Sequence, residues 1–197
     1  RALSLAATGE PVLRDMFYDG HPREEPGAVV CRVAPSFVRF GNFQILAAAK
    51  EFDELKQLAD HVMREHFPGI HTVEDWFREI CRRTGLLMAD WMRLGFVHGV
   101  MNTDNAAISG ETIEYGPCDF MNAYDPAPVF SSIDSQGRYA FGNQPALAGW
   151  NLARFAEALL PLISADQDKA VELATAAVEG FAAEFEHNWN EVLRAKL

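Results

Sequence analysis

Apolar positions recur at helical spacing from about Gln44 to Glu65, where Leu46, Leu55, Leu58, Val62 and Met63 mark the pattern until Pro68-Gly69 ends it. One helix is expected there. A second is expected from Thr72, whose hydroxyl can cap the free amides of a first turn while Asp75 completes a box-like start. It runs through Trp76, Ile80, Leu87 and Trp91 towards Phe96. Helical patterning returns from Ala146 to Leu162 and, after Ser164-Ala165-Asp166, along an Ala-rich segment to the C-terminus. Trp76, Trp91, Trp150 and Trp189 are assigned to the helical core, since large aromatic side chains bury the most surface there.

The N-terminal part reads differently. Residues 1–18 are two short apolar segments broken by Thr8-Gly9-Glu10-Pro11, a turn signal that predicts a β-hairpin or strand pair. Residues 19–27 carry Asp19-Gly20, Pro22 and Pro26 and read as a loop, and Ala28 to Val33 reads as a strand. Between His98 and Pro145 the chain loses helical periodicity and fills with Gly, Asn, Asp, Pro and Tyr. One hairpin is expected inside it, Ala107-Ile108-Ser109 turning at Gly110-Glu111 into Thr112-Ile113-Glu114-Tyr115. A polar, irregular centre framed by helices is where chemistry is sought, because scaffolded loops carry function more often than the elements that hold them.

Composition narrows the function classes. With 49% hydrophobic and 23% charged residues the 197-residue chain is an ordinary globular one, neither disordered nor fibrous. Its 17 Lys and Arg against 28 Asp and Glu give a net charge of −11, which argues against general nucleic-acid binding. No run reaches the ~18–20 apolar residues of a membrane span, so no membrane role is expected. Three cysteines at long spacings, Cys31, Cys81 and Cys118, suggest neither a disulfide framework nor a zinc site and fit a cytoplasmic location. His61 and His66 stand five apart, about 140° out of register on a helix, and make a poor ligand pair. Neither glycine-rich phosphate-binding fingerprint is present.

The chemistry-bearing segment is His98-Gly99-Val100-Met101-Asn102-Thr103-Asp104-Asn105, followed by the hairpin that returns Glu114. An Asp-Asn pair and a returning carboxylate can bring three oxygen-bearing side chains to one point, as hard cations such as Mg²⁺ require. Asp104 and Asn105 equally suit a turn, and Glu114 a solvent-facing strand. Protein kinases place Asn seven positions after His in H-R-D-x-x-x-x-N and a metal-binding Asp on the next hairpin. The spacing from His98 to Asn105 is the same, but Val100 stands where the kinase catalytic Asp would be and cannot accept a hydroxyl proton. In kinase grammar the site is degenerate unless Asp104 serves as base.

At these residues the chain resembles the selenoprotein O family, also called the YdiU family. The likeness rests on Arg1-Ala2-Leu3-Ser4-Leu5, Arg14-Asp15-Met16-Phe17-Tyr18-Asp19-Gly20, Cys31-Arg32-Val33-Ala34-Pro35-Ser36-Phe37-Val38-Arg39-Phe40-Gly41, Gly99-Val100-Met101-Asn102-Thr103-Asp104-Asn105, Tyr115-Gly116-Pro117, Ala123-Tyr124-Asp125-Pro126 and Gly142-Asn143-Gln144-Pro145. The resemblance implies a pseudokinase-like protein adenylyltransferase that moves AMP from ATP to Ser, Thr or Tyr hydroxyls of proteins. It implies Asp104 as catalytic base, Asn105 and Glu114 as ligands of Mg²⁺ or Mn²⁺, and Arg32 and Arg39 as contacts to the ATP phosphates. Glu114 departs from the family's D-Y-G-P motif by one methylene, which puts metal binding in question.

The expected fold is α+β and mostly helical, a kinase-like (pseudokinase) C-terminal lobe with a few short strands and hairpins. Residues 1–43 are expected to be strands and loops at a lobe junction, and residues 44–197 a helical lobe containing the catalytic and metal loop 98–117. The resemblance further implies that the nucleotide-binding lobe and C-terminal tail of the family lie outside these residues, so that the chain alone binds ATP weakly and transfers little AMP. UMP transfer from UTP by the same site, and a non-catalytic pseudokinase binding module, remain open alternatives. Protein targets and oligomeric state are not read from the sequence.

Overall fold

The computed structural model describes residues 2–16 and 18–195 of the chain. Arg1 and Phe17, both within motifs quoted above, and Lys196 and Leu197 lie outside the described residues. The architecture is mixed. A long antiparallel hairpin, β1 (Ala2–Arg14) with β2 (Arg23–Arg32), precedes α1 (Phe40–Ala49), α2 (Phe52–His66) and α3 (Val73–Leu94). A minimal sheet pairs β3 (Phe96–Val97) with β4 (Asp119–Phe120), and α4 (Gln144–Ile163) and α5 (Gln167–Arg194) complete the order. No helix among the described residues is long and apolar enough to cross a membrane.

The N-terminal hairpin turns later than the sequence suggests. Thr8-Gly9-Glu10-Pro11 does not reverse the chain; it forms a bulge within β1, where the register jumps from Ala7↔Ala28 to Pro11↔Pro26. Thr8 Oγ1 accepts from Glu10 N at 3.2 Å and donates to Gly27 O at 3.1 Å, so the bulge folds over Gly27. A side chain at Gly27 would lie 2.6 Å from Glu10 O, so the close approach needs glycine. The reversal occurs around Asp15–Gly20 instead, where the Asp15 carboxylate accepts from Asp19 N at 3.1 Å and Gly20 N at 2.8 Å. The supposed loop 19–27 therefore gives its second half to β2. These are long strands rather than short ones, and Leu3, Leu5, Leu13 and Val29 on them are exposed.

The helix expected over 44–65 is two. Lys50 adopts φ 60°, and its N–H and that of Glu51 close on Ala47 O and Leu46 O at 3.1 and 2.9 Å, a left-handed cap that ends α1. The start of α3 is as expected, with Thr72 Oγ1 accepting from Asp75 N at 3.1 Å, and Gly95 at φ 69° ends it. Asp166 caps α5 by accepting from Asp168 N and Lys169 N at 3.0 and 3.2 Å.

The core lies among α1 to α5, with α2 contributing Leu55, Ala59 and Val62. Phe40, Phe43, Phe67, Trp76, Phe77 and Phe155 are all fully buried there. Trp91 is also buried, but Trp150 is 44% exposed and Trp189 only half-buried, which corrects the assignment of all four tryptophans to the core. Trp150 instead lies against cations, with the guanidinium carbons of Arg138 and Arg154 at 4.9 and 5.6 Å from its ring.

Candidate active site

The polar centre is anchored where the chain entering α1 meets the segment after Asn105. Phe40 N donates to Ala106 O at 3.0 Å, Ile108 N donates to Val38 O at 3.1 Å, and Arg39 bridges Ala107. Beyond this zip a single bridge, Ala106↔Thr112, is all that forms of the expected hairpin, with Gly110 at φ 75° in the turn. Trp91 Nε1 donates to Thr112 Oγ1 at 2.9 Å and ties this turn to α3.

Asp104 lies in a one-turn 3-10 helix, Thr103–Asn105, closed by Asn105 N on Asn102 O at 3.0 Å. Its side chain is exposed, and among the described residues no donor or cation sits on the carboxylate. The backbone is held instead, with Arg39 Nη1 donating to Asp104 O at 3.1 Å. Asn105 Nδ2 donates to Val100 O at 3.0 Å, which fixes the amide and leaves its Oδ1 uncommitted. Arg39, Asp104 and Asn105 thus form one cluster.

Arg32 and Glu114 form another. Arg32 Nη2 donates to Ile113 O, and its guanidinium carbon lies 4.8 Å from the Tyr115 ring centroid, so this arginine clasps the residues on either side of Glu114. The Glu114 carboxylate turns back on its own chain, Oε1 accepting from Tyr115 N at 2.8 Å and Gly116 N at 2.6 Å. Two adjoining hollows, both bordered by Glu111, touch the clusters. Arg32 and Tyr115 line a cleft of about 270 Å³ with Ser36, Ser109 and Glu111, whereas Asn105 lines a hollow of about 30 Å³ with Met101, Glu111 and Asn151. Among the described residues no three His, Cys, Asp or Glu side chains gather as a metal site.

Four residues to which the sequence reading gave no site role shape this region. Gly41 sits under Asp104: a methyl built on it would overlap the carboxylate oxygen and stand 3.1 Å from Cγ. Gly41→Ala is therefore expected to displace the Asp104 carboxylate by on the order of 1 Å, since nonbonded carbons settle near 3.5–4.0 Å. A crystal structure of the variant with Asp104 unmoved would overturn that reading. Gln144 and Asn151 on α4 reach the loop backbone, as described below. The signal for them was polar amides inside an otherwise apolar helix face.

His98 is the fourth. It is buried, stacked on Trp91 with ring centroids 5.1 Å apart, and its Nδ1 accepts from Val100 N at 3.3 Å. Burial pulls its pKa from 6.5 down to about 4, against the attraction of Glu114. The unfolded chain consequently binds more protons than the folded one between these values, so the stability His98 preserves above about pH 6.5 is lost as pH falls towards 4. The loss is about 3 kcal/mol. Glu79, held near 2 chiefly by its hydrogen bond to Arg82, weakens the fold only below about pH 4.5, so the windows separate. Urea midpoints from pH 7 to 4.5 should fall less steeply in His98→Leu than in the parent; equal slopes would refute the assignment.

A family model described as "Protein adenylyltransferase SelO" matches residues 1–197. The chain belongs to the SelO family. Among curated relatives, the Protein nucleotidyltransferase YdiU of Nitrosospira multiformis is 56% identical over 205 residues, covering all of this chain and 35% of its own length. The proteins of the same name from Halalkalibacterium halodurans and Methylorubrum populi are 50% and 51% identical, again over the whole chain and over 40% and 39% of their own lengths. This SelO-family chain thus spans 35–40% of the length of these relatives, and the loop around Asp104 lies inside the matched part.

Proposed function

We propose that this SelO-family chain carries the acid–base and metal loop of a nucleotidyltransferase that moves AMP from ATP onto Ser, Thr or Tyr hydroxyls of proteins, on a pseudokinase-like helical lobe. The observation that carries the reading is the exposed Asp104 carboxylate, free of any donor among the described residues, on a backbone clamped by Arg39 and flanked by Asn105. A general base needs that freedom. Asp104 would take the proton of the incoming hydroxyl as its oxygen bonds to the α-phosphorus, while the bond to the bridging oxygen breaks and pyrophosphate leaves.

Asn105 and Glu114 both have oxygens of the kind a hard cation takes, but they stand in separate clusters and would have to close on one another to share it. Asn105 offers a fixed and uncommitted amide oxygen, and Glu114 keeps one carboxylate oxygen off its backbone contacts. Mg²⁺ or Mn²⁺ held by these two would supply charge neutralisation for the phosphates. Arg39 lies beside Asp104 and suits a phosphate contact; Arg32 would have to divide itself between phosphate and the Ile113–Tyr115 turn. The three free cysteines suit a reducing cytoplasm.

Protein of the relatives' full length should be incubated with Mn²⁺ and ATP labelled at either the α- or the γ-phosphate. Label on protein from the α position alone is expected. Transfer of the γ label would overturn the reading in favour of a kinase, preference for α-labelled UTP would make the product UMP, and no transfer with retained nucleotide binding would make it a binding module.

A further inference from the structure

The loop that carries Asp104 has almost no ladder of its own. From His98 to Asn102 the backbone is irregular, and its buried N–H and C=O groups must find partners elsewhere. Two amide side chains of α4 meet them. Gln144, fully buried, accepts from His98 N with Oε1 at 2.9 Å and donates to Phe96 O with Nε2 at 2.9 Å, closing both sides of one peptide stretch. Asn151, 3% exposed, donates from Nδ2 to Met101 O at 3.1 Å. The two lie seven positions apart, two turns along one face of α4. Asn105 then returns to Val100 O, so the stretch 96–105 is pinned at Phe96, His98, Val100 and Met101 before it presents Asp104.

We propose that Gln144 and Asn151 are positioning residues of the transfer site, which set the path of the 98–105 loop and hence the placement of Asp104 and Asn105 without touching substrate. The chemistry demands amides. Gln144 must accept and donate at once, which neither an ionised Glu nor an apolar side chain does, and Asn151 must donate to a carbonyl, which Asp cannot when ionised. Both are tied to the core, α4 being packed through Leu152 and Phe155, so the loop inherits the rigidity of the helix.

The proposal rests on the nucleotidyl-transfer reading for its activity arm, and the test therefore has a second arm independent of it. In protein of the relatives' full length, Gln144→Met and Asn151→Ser are compared with Leu152→Val, a buried change on the same helix that touches no loop backbone. The first arm is amide hydrogen exchange over residues 98–105, expected to accelerate at least tenfold in both amide variants and not in Leu152→Val. The second is AMP transfer per folded molecule, expected to lose kcat about tenfold or more with KM for ATP within about twofold, because small misplacements of a reacting group are costly. Unchanged exchange in the loop of both amide variants overturns the proposal, as does loop exchange that rises equally in Leu152→Val. Accelerated exchange with kcat per folded molecule unchanged overturns the positioning role in the reaction. If the parent protein transfers nothing, it is the function that fails, while the exchange arm still decides whether these amides hold the loop. Should Gln144→Met not fold, Asn151→Ser decides alone.

Discussion

In protein of the relatives' full length, Asp104→Asn is expected to cut the proposed AMP transfer by about 10²–10⁴-fold while leaving the fold within about 0.5 kcal/mol of the parent. The substitution keeps the side chain's shape and removes its ability to accept the hydroxyl proton. Nothing in the structure depends on the carboxylate as an anion, because the contact that holds this residue runs through its backbone carbonyl to Arg39 and the 3-10 turn is closed by Asn105 N on Asn102 O. Those bonds survive in the variant. Gly41 continues to leave room for the side chain, and Asn105 keeps its tie to Val100 O. Binding of ATP should change little, since the proposed phosphate contacts and metal ligands are other residues. The pattern that checks the assignment is a collapse in kcat at nearly constant KM and unchanged Tm. A variant with parental kcat would remove Asp104 from the reaction, and one that lost Tm and kcat together would make it structural.

What the sequence disclosed and what it concealed divide along the range of the interactions. The start of α3 was legible because Thr72 and Asp75 are three residues apart and satisfy each other; its end at the left-handed Gly95 falls just short of the expected run towards Phe96. The break between α1 and α2 was concealed by Lys50, a residue with no left-handed preference, in a segment whose apolar spacing runs on regardless. Thr8-Gly9-Glu10-Pro11 carried a true local signal, yet whether it becomes a turn or a bulge depends on Gly27 in the opposite strand. In the candidate site, Arg32, Arg39, Asp104, Asn105 and Glu114 were brought together through the family resemblance, and the structure places Arg39, Asp104 and Asn105 side by side. The separation of Arg32 and Glu114 into a second cluster depends on how the Ile113–Tyr115 turn folds, which spacing does not specify. Gln144 and Asn151 stood out only as amides on an apolar helix face, and what they hold was not legible because their partners are main-chain groups 46 to 50 positions away.

Phe155→Ala is expected to be the most damaging single change to the fold, at about 3–5 kcal/mol. Phe155 stands at the crossing of four ring contacts: stacked on Phe40 with centroids 4.5 Å apart and planes 7° from parallel, and edge-on to Phe43, Trp76 and Phe77 at 5.2, 5.8 and 5.9 Å. Those rings come from α1, α3 and α4, so deleting the side chain opens a cavity where three helices meet rather than at the edge of one. Each aromatic pair adds about 0.5–1.5 kcal/mol beyond the area it buries, and the surrounding rings are too stiff to collapse into the space. For a chain of this size the loss corresponds to a fall in Tm of roughly 10 °C, read by thermal or urea denaturation. Trp150→Ala removes a larger ring from the same helix, but one that is 44% exposed and stacked only on cations, and should cost about 1 kcal/mol or less. Equal losses in the two variants would refute the placement of the core. The change at Phe155 should also reach the candidate site, because its stacked partner Phe40 opens α1 between Arg39, which holds Asp104 O, and Gly41, which makes room for the Asp104 carboxylate. At a temperature where Phe155→Ala is still folded, the AMP transfer proposed for protein of the relatives' full length should therefore fall although no group of the site has been altered.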